Sequence, residues 1–190
     1  MKKLFIFASL LYSFAAQANS SYFENLVRQM QAHQNDPLIA DMELQTGNEN
    51  ISYRVYKKGK RVRTDFTMND VTGYTFTDDH KTTFFIPAQN VLTVQENEGG
   101  SPFLIPDAQT FEGCSVGSPI QINGMECRPI KCSNAGEQLD LCISETYYIP
   151  VQTTFGGGQL KAKSIRKVDF SDDVLTPPTR ADAEIQTPQF

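Results

Sequence analysis

Tryptophan is absent from this 190-residue chain, and histidine occurs only twice, as His33 and His80. Two imidazoles leave little for a zinc site or a nucleophile–base–acid triad, since both chemistries lean on histidine. Basic residues are also short, 17 Lys and Arg against 22 Asp and Glu, a formal charge of −5. A nucleic-acid binder needs clustered Lys and Arg on a basic domain, so that class is excluded. Cysteine is scarce at four, and Cys127 and Cys132 miss the Cys-x-x-Cys spacing of a redox dithiol. No cofactor or metal is expected.

The first residues carry an address. Lys2 and Lys3 precede an apolar stretch from Leu4 to Ala16, and Ala16-Gln17-Ala18 supplies a small-x-small cleavage pattern. Thirteen residues fall short of the ~20 that cross a bilayer. The reading is a cleavable signal over 1–18, cut after Ala18, and a periplasmic destination. No cysteine follows the cut, so lipid attachment there is not expected. Loss of Lys2 and Lys3 leaves 15 basic against 22 acidic residues, a mature chain of 172 residues and charge −7. That length suits a single domain over 19–178 with a polar tail over 179–190.

One helix is written at the mature N-terminus. Ser21 and Glu24 have capping-box spacing, and Phe23, Leu26, Val27 and Met30 make one apolar stripe before Asn35-Asp36-Pro37 stops it. The period then changes to two: Ala40, Met42 and Leu44; Ile51, Tyr53 and Val55; Val62, Thr64, Phe66 and Met68. Tyr74 and Phe76, Phe84 and Ile86, and Leu92 and Val94 continue it, with Gly/Asn/Asp/Pro turns between the runs. Further strands are expected at Met125–Cys132, Gln138–Thr146, Val151–Phe155 and Lys163–Phe170. The pattern predicts an antiparallel meander with one apolar and one solvated face.

Residues 99–120 interrupt it with Gly99-Gly100, Pro102, Pro106, Gly113, Gly117 and Pro119 around Phe103, Leu104, Ile105 and Phe111. They read as a tucked-in loop or as a flap over an apolar cavity. Four cysteines in an exported chain read as disulfides, with three pairings open. A hairpin centred on Asn134-Ala135 would set Cys127 opposite Cys142, which favours that bond and leaves Cys114 with Cys132.

The candidates for chemistry are weak. Gly113-Cys114-Ser115-Val116-Gly117 matches G-x-S-x-G, but both histidines precede Ser115 and no strand-to-helix elbow surrounds it. Asp169, Asp172 and Asp173 lack the spacing of a calcium loop and read as surface charge. The basic run Lys57-Lys58-Gly59-Lys60-Arg61-Arg63 reads as a solvated hairpin, or as a patch for an acidic partner or an anionic lipid surface with peripheral membrane contact. Terminal Phe190 suggests an outer-membrane barrel end, but Pro188 breaks the strand this requires. The chain is read as non-enzymatic.

Shape carries what remains. About nine strands at ~4.8 Å spacing make a sheet some 40 Å wide, which a helix ~10 Å across cannot cover. The sheet must close into a self-filled barrel or curl into a half-barrel with an apolar hollow, and large apolar surface favours the second. This layout resembles the periplasmic lipoprotein-carrier (LolA-like) superfamily, closest to its members of unknown function with a paired-cysteine hairpin. The carrying residues are Ile122-Asn123-Gly124-Met125-Glu126-Cys127 and Leu139-Asp140-Leu141-Cys142-Ile143, then Tyr147-Tyr148-Ile149-Pro150-Val151 and the closing run Lys163 to Pro178. The resemblance implies a mainly β fold: a curved antiparallel sheet with one N-terminal helix and a loop on its concave face, holding acyl chains or another apolar ligand. The expected wall is Met42, Tyr53, Val55, Val62, Phe66, Met68, Tyr74, Phe76, Phe84, Ile86, Leu92 and Val94, gated by Phe103, Leu104 and Ile105. The alternative is an envelope regulatory or assembly subunit gripping a protein partner with the same face.

Overall fold

Helix α1, residues 21–32, buries the stripe the sequence predicts: Phe23, Leu26, Val27 and Met30 are each no more than 7% exposed. The computed structural model describes residues 21–47, 49–96, 111, 113–134, 137–155 and 157–180. The signal segment, the stretch holding Phe103, Leu104 and Ile105, and the residues after 180 lie outside these. The α1 stripe packs with Phe111, Cys114, Ile130 and Ile143, and the Phe23 and Phe111 rings stack at 5.0 Å.

Among the described residues twelve strands follow: β1 (Leu38–Thr46), β2 (Glu49–Lys58), β3 (Arg61–Met68), β4 (Val71–Thr77), β5 (Lys81–Ile86), β6 (Val91–Glu96), β7 (Ser115–Val116), β8 (Ile120–Ile122), β9 (Met125–Asn134), β10 (Glu137–Ile143), β11 (Pro150–Phe155) and β12 (Gly158–Lys167). They form one antiparallel sheet in the order β6-β5-β4-β3-β2-β1-β12-β11-β10-β9-β7, with β8 pairing β9. Among the described residues the order does not close on itself, so the sheet is open rather than a barrel. The β2–β3 and β3–β4 turns are two residues long, Lys58 facing Arg61 and Met68 facing Val71. At the second, Asn69 and Asp70 both take left-handed backbone, φ 50° and 63°, which their short side chains tolerate.

The structure departs from the sequence expectation in four places. The stretch read as loop, 99–120, contributes the short strand β7 and the first residue of β8. The β9–β10 hairpin pairs Asn134 with Glu137, so Cys142 faces Pro129 and not Cys127. The expected disulfides form nonetheless: Cys127–Cys142 across a Cα separation of 5.4 Å, and Cys114–Cys132 across 4.2 Å. The latter extends the β7–β9 register, in which Ser115 faces Lys131, by one position. Strand β10 stops at Ile143 and not at Thr146, because the Ser144 hydroxyl accepts the N–H groups of Thr146 and Tyr147 and its carbonyl accepts that of Tyr148.

The fourth departure concerns the C-terminal run and the basic hairpin. Strand β12 ends at Lys167, not Phe170. The chain then crosses the sheet, packing Phe170, Val174 and Leu175 on Ile39 and Tyr56. A 3-10 turn at Asp172–Leu175 sets Asp172 against Lys58 at 3.0 Å and Arg61 at 2.6 Å. Lys60 pairs with Asp79 at 2.7 Å. Lys58 and Arg61 of the run that read as a solvated patch are thus paired with Asp172, one of the aspartates that read as surface charge.

Curvature is visible at the other end. Asn123, at the tip of the β8–β9 hairpin, donates from Nδ2 to the carbonyl of Ala162 on β12 at 2.7 Å. Those strands are three places apart in the sheet, ~14 Å if it were flat. The hairpin therefore folds back over the face carrying Ala162. Ile122 and Met125 pack there on a core of Leu38, Ala40, Met42, Val55, Cys127, Cys142 and Val151.

Candidate functional site

Residues directly opposite in an antiparallel ladder share a face, so the register assigns every side chain from β1 to β6. Met42 faces Tyr53, Tyr53 faces Phe66, and Phe66 faces Gly73. Thr75 faces Phe84 and Ile86 faces Val91. One face therefore holds Met42, Tyr53, Val55, Val62, Phe66, Met68, Phe84 and Ile86 from the expected wall. Tyr74, Phe76, Leu92 and Val94 are placed on the opposite face. Phe103 and Leu104 are outside the described residues.

The cause is turn length. A two-residue turn at Asn69-Asp70 sets Met68 opposite Val71, so the odd positions of β4 share the face of Phe66 and the aromatic Tyr74 and Phe76 do not. On β6 the same arithmetic selects Val91 and Thr93 over Leu92 and Val94. The residues missed by pattern reading are Val71, Val91 and the threonines Thr75, Thr77, Thr82 and Thr93. Their signal was the length of each turn rather than the hydrophobic alternation.

Burial on this face falls from the sheet centre to its edge. Met42 and Val55 are sealed, whereas Phe84 and Val91 are each 37% exposed and Met68 is 49% exposed. Tyr53 is half-buried, and burial pushes its phenol up to about 12. The outer end of the Phe66 ring lies over Gly73, so close that a Cβ on Gly73 would collide with it. From β3 to β6 no ionisable residue occupies this face among the described residues: the positions are apolar, Thr, Gly or Gln. On β2 the face ends in Lys57, buried at 4% exposure, whose Nζ donates to the Gln34 carbonyl at 2.7 Å. Desolvation lowers its pKa.

The charges belong to the other face. Arg63 there is 1% exposed, makes two bonds to Asp65 at 2.6 and 2.8 Å, donates to the Val174 carbonyl, and stands over the rings of Tyr56, Tyr74 and Phe76. A second, small cleft of about 140 Å³ lies between α1 and the 144–148 turn, lined by Tyr22, Asn25, Leu26, Gln29, Glu145 and Tyr148. Its charged member is engaged: Glu145 pairs with Arg128 at 2.8 Å, and the Tyr22 hydroxyl lies at 3.4 Å. Burial, then the Glu145 charge, push Tyr22 up to about 12.

No constellation for catalysis assembles around the residues first considered. Ser115 lies on β7 and His80 in the turn before β5, at opposite ends of the strand order. The His80 backbone N–H bonds Asp78. His33 closes the helix, with Nδ1 2.9 Å from Asp36 and its ring stacked on Tyr148. Among the described residues no group of His, Cys, Asp and Glu is arranged to hold a metal ion.

No protein-family description matches the chain, and no curated protein matches it. Solved structures do. MucB aligns with a TM-score of 0.62 over 86% of this chain at 9% identity. The chain shares its fold with MucB. It spans 64% of MucB's length. MucB also aligns from the Pseudomonas aeruginosa MucA/MucB complex, with a TM-score of 0.60 over 89% of this chain and 64% of that one, at 10% identity. An uncharacterized conserved protein from Thermus thermophilus aligns over 86% of this chain and 98% of its own, with a TM-score of 0.63 and 12% identity. Two disulfides alongside this fold mark a chain that matures in an oxidising compartment, as an exported protein does.

Proposed function

We propose that this is a non-enzymatic binding protein of the bacterial periplasm, delivered there by cleavage after Ala18, which holds an acyl chain or similar uncharged apolar ligand on the Met42-side face. The observation behind this reading is the charge-free, partly open stretch of that face from β3 to β6, where Phe66, Met68, Phe84, Ile86 and Val91 gather. Apolar chains laid there gain ~0.8 kcal/mol per buried CH₂, so affinity follows chain length. Purified protein is expected to bind a fluorescent fatty-acid analogue, more tightly as the chain lengthens. Phe66→Asp and Phe84→Asp, confirmed folded by circular dichroism, should each weaken it at least about tenfold, since a carboxylate is costly against hydrocarbon. A folded sample that binds no such probe overturns the reading.

A second reading has its own support. MucB, which shares this fold over part of its length, has been solved in complex with MucA, so a protein carrying this fold takes a protein partner in at least one case. Native mass spectrometry of protein taken from its own periplasm separates the two. A co-purifying lipid mass favours the first reading, and a stoichiometric polypeptide favours the second.

A further inference from the structure

The two edges of the sheet are built differently. At one end β7 has two residues and β8 three, with Gly117 and Pro119 between them and the Cys114–Cys132 bond beside them. Natural sheets blunt their edges in this way, with short strands and proline, so that foreign strands cannot add. At the other end β6 runs six residues in unbroken register with β5, from Val91 opposite Ile86 to Glu96 opposite Lys81. It has no Lys, Arg, Pro, Gly or bulge. Val94 is 56% exposed and Val91 37%. Among the described residues no strand lies on its outer side.

We propose that β6 is a self-pairing edge through which two copies of this chain join their sheets. The only charge on the strand is Glu96, and Lys81 stands opposite it within the same copy, so a second β6 meets no like-charge barrier along Val91–Gln95. Symmetry narrows the register. A two-fold axis normal to the sheet keeps each face on its own side, so the axis must pass through a residue and not between two. Centred on Val94, the pairing sets Leu92 against Glu96. Centred on Thr93, it sets Thr93 against Thr93, Leu92 against Val94 twice, and Val91 against Gln95. Threonine pairs and apolar pairs stabilise antiparallel ladders, so the Thr93-centred register wins. One six-residue edge covers less than the ~800 Å² per partner of a standard interface, so the association is weak and concentration-dependent. In that dimer the charge-free faces of the two copies run on into one another across β6.

The test is sedimentation equilibrium and cross-linking on the full purified protein. The mass is expected to rise toward twice that of one chain at sub-millimolar concentration. Val94→Lys, an exposed edge substitution, should hold it at one. Thr93→Cys should form an intermolecular disulfide under mild oxidation, several-fold faster than Val91→Cys, which faces Gln95. A single-chain mass at every concentration overturns the proposal, as does a dimer indifferent to Val94→Lys. Faster cross-linking of Val91→Cys than of Thr93→Cys overturns the register.

Discussion

Arg63 is the most committed single residue on the charged side of the sheet. Its guanidinium is buried, held bidentately by Asp65 and capped by the Val174 carbonyl, with three aromatic rings around it at 5.1 to 5.7 Å. Burial raises the Asp65 pKa against the opposing pull of Arg63. Removing one partner of such a pair strands the other, which typically costs about 3–5 kcal/mol. Arg63→Ala is therefore expected to lower unfolding free energy by that order in denaturant titration. The double variant Arg63→Ala/Asp65→Ala should lose less than Arg63→Ala alone, because no lone charge remains.

Asp36 governs a different response. Hydrogen bonds from Lys167 and His33 hold its carboxyl below the usual carboxylate range. A carboxylate with a depressed folded pKa stabilises above its unfolded value of ~3.9, and the contribution is lost as pH falls through the folded value. Thermal midpoints followed from pH 6 down to pH 2 should fall for the wild type and fall less for Asp36→Asn, so that the two curves converge in acid. Parallel curves would remove Asp36 from the acid limb.

At the scale of elements, the helix and the strands were readable wherever one period held over several residues. The stripe Phe23, Leu26, Val27, Met30 is buried as written, and β1 to β6 fall where alternation placed them. Faces were harder to read than strands, because each turn resets the phase. Tyr74 and Phe76 look like the apolar phase of β4, yet the two-residue turn before them puts Gly73 and Thr75 beside Phe66 and Phe84. The shortest strands, β7 and β8, carry no period to read; they pair with β9 and are held by non-local contacts, the Cys114–Cys132 bond beside β7 and the Asn123–Ala162 bond at the tip of β8.

The two disulfides act on these elements unequally. Their spans are similar, 18 and 15 residues, so chain entropy assigns each about 3 kcal/mol. Cys127 and Cys142 are also sealed in the main core, at 0% and 3% exposure, whereas Cys114 and Cys132 tie down a two-residue edge. Replacing Cys127 and Cys142 by Ala should thus lower global stability more than replacing Cys114 and Cys132. The second replacement should show instead as faster amide exchange confined to β7 and its approach. Equal global losses without local exchange would contradict this division.

For the whole molecule, width decided the architecture before any side chain was placed: one helix cannot roof a sheet of this many strands. What width could not say was which part the described residues leave uncovered. The answer lies in the Asn123–Ala162 bond and in the C-terminal crossing, contacts between residues 39 and more than 100 positions apart that no local pattern announces. Together they close the β8–β12 half of one face and the β1–β3 region of the other.

The half left open among the described residues has a property that follows from its composition. Coulomb attraction weakens within about a nanometre of ordinary brine, and grips built on charge tighten or slacken with every change in the surrounding medium. A floor of Phe, Met, Ile, Val and Thr has no such dependence. An uncharged chain resting on it is expected to be released neither by the salt that screens ion pairs nor by a change of acidity that leaves the sheet folded.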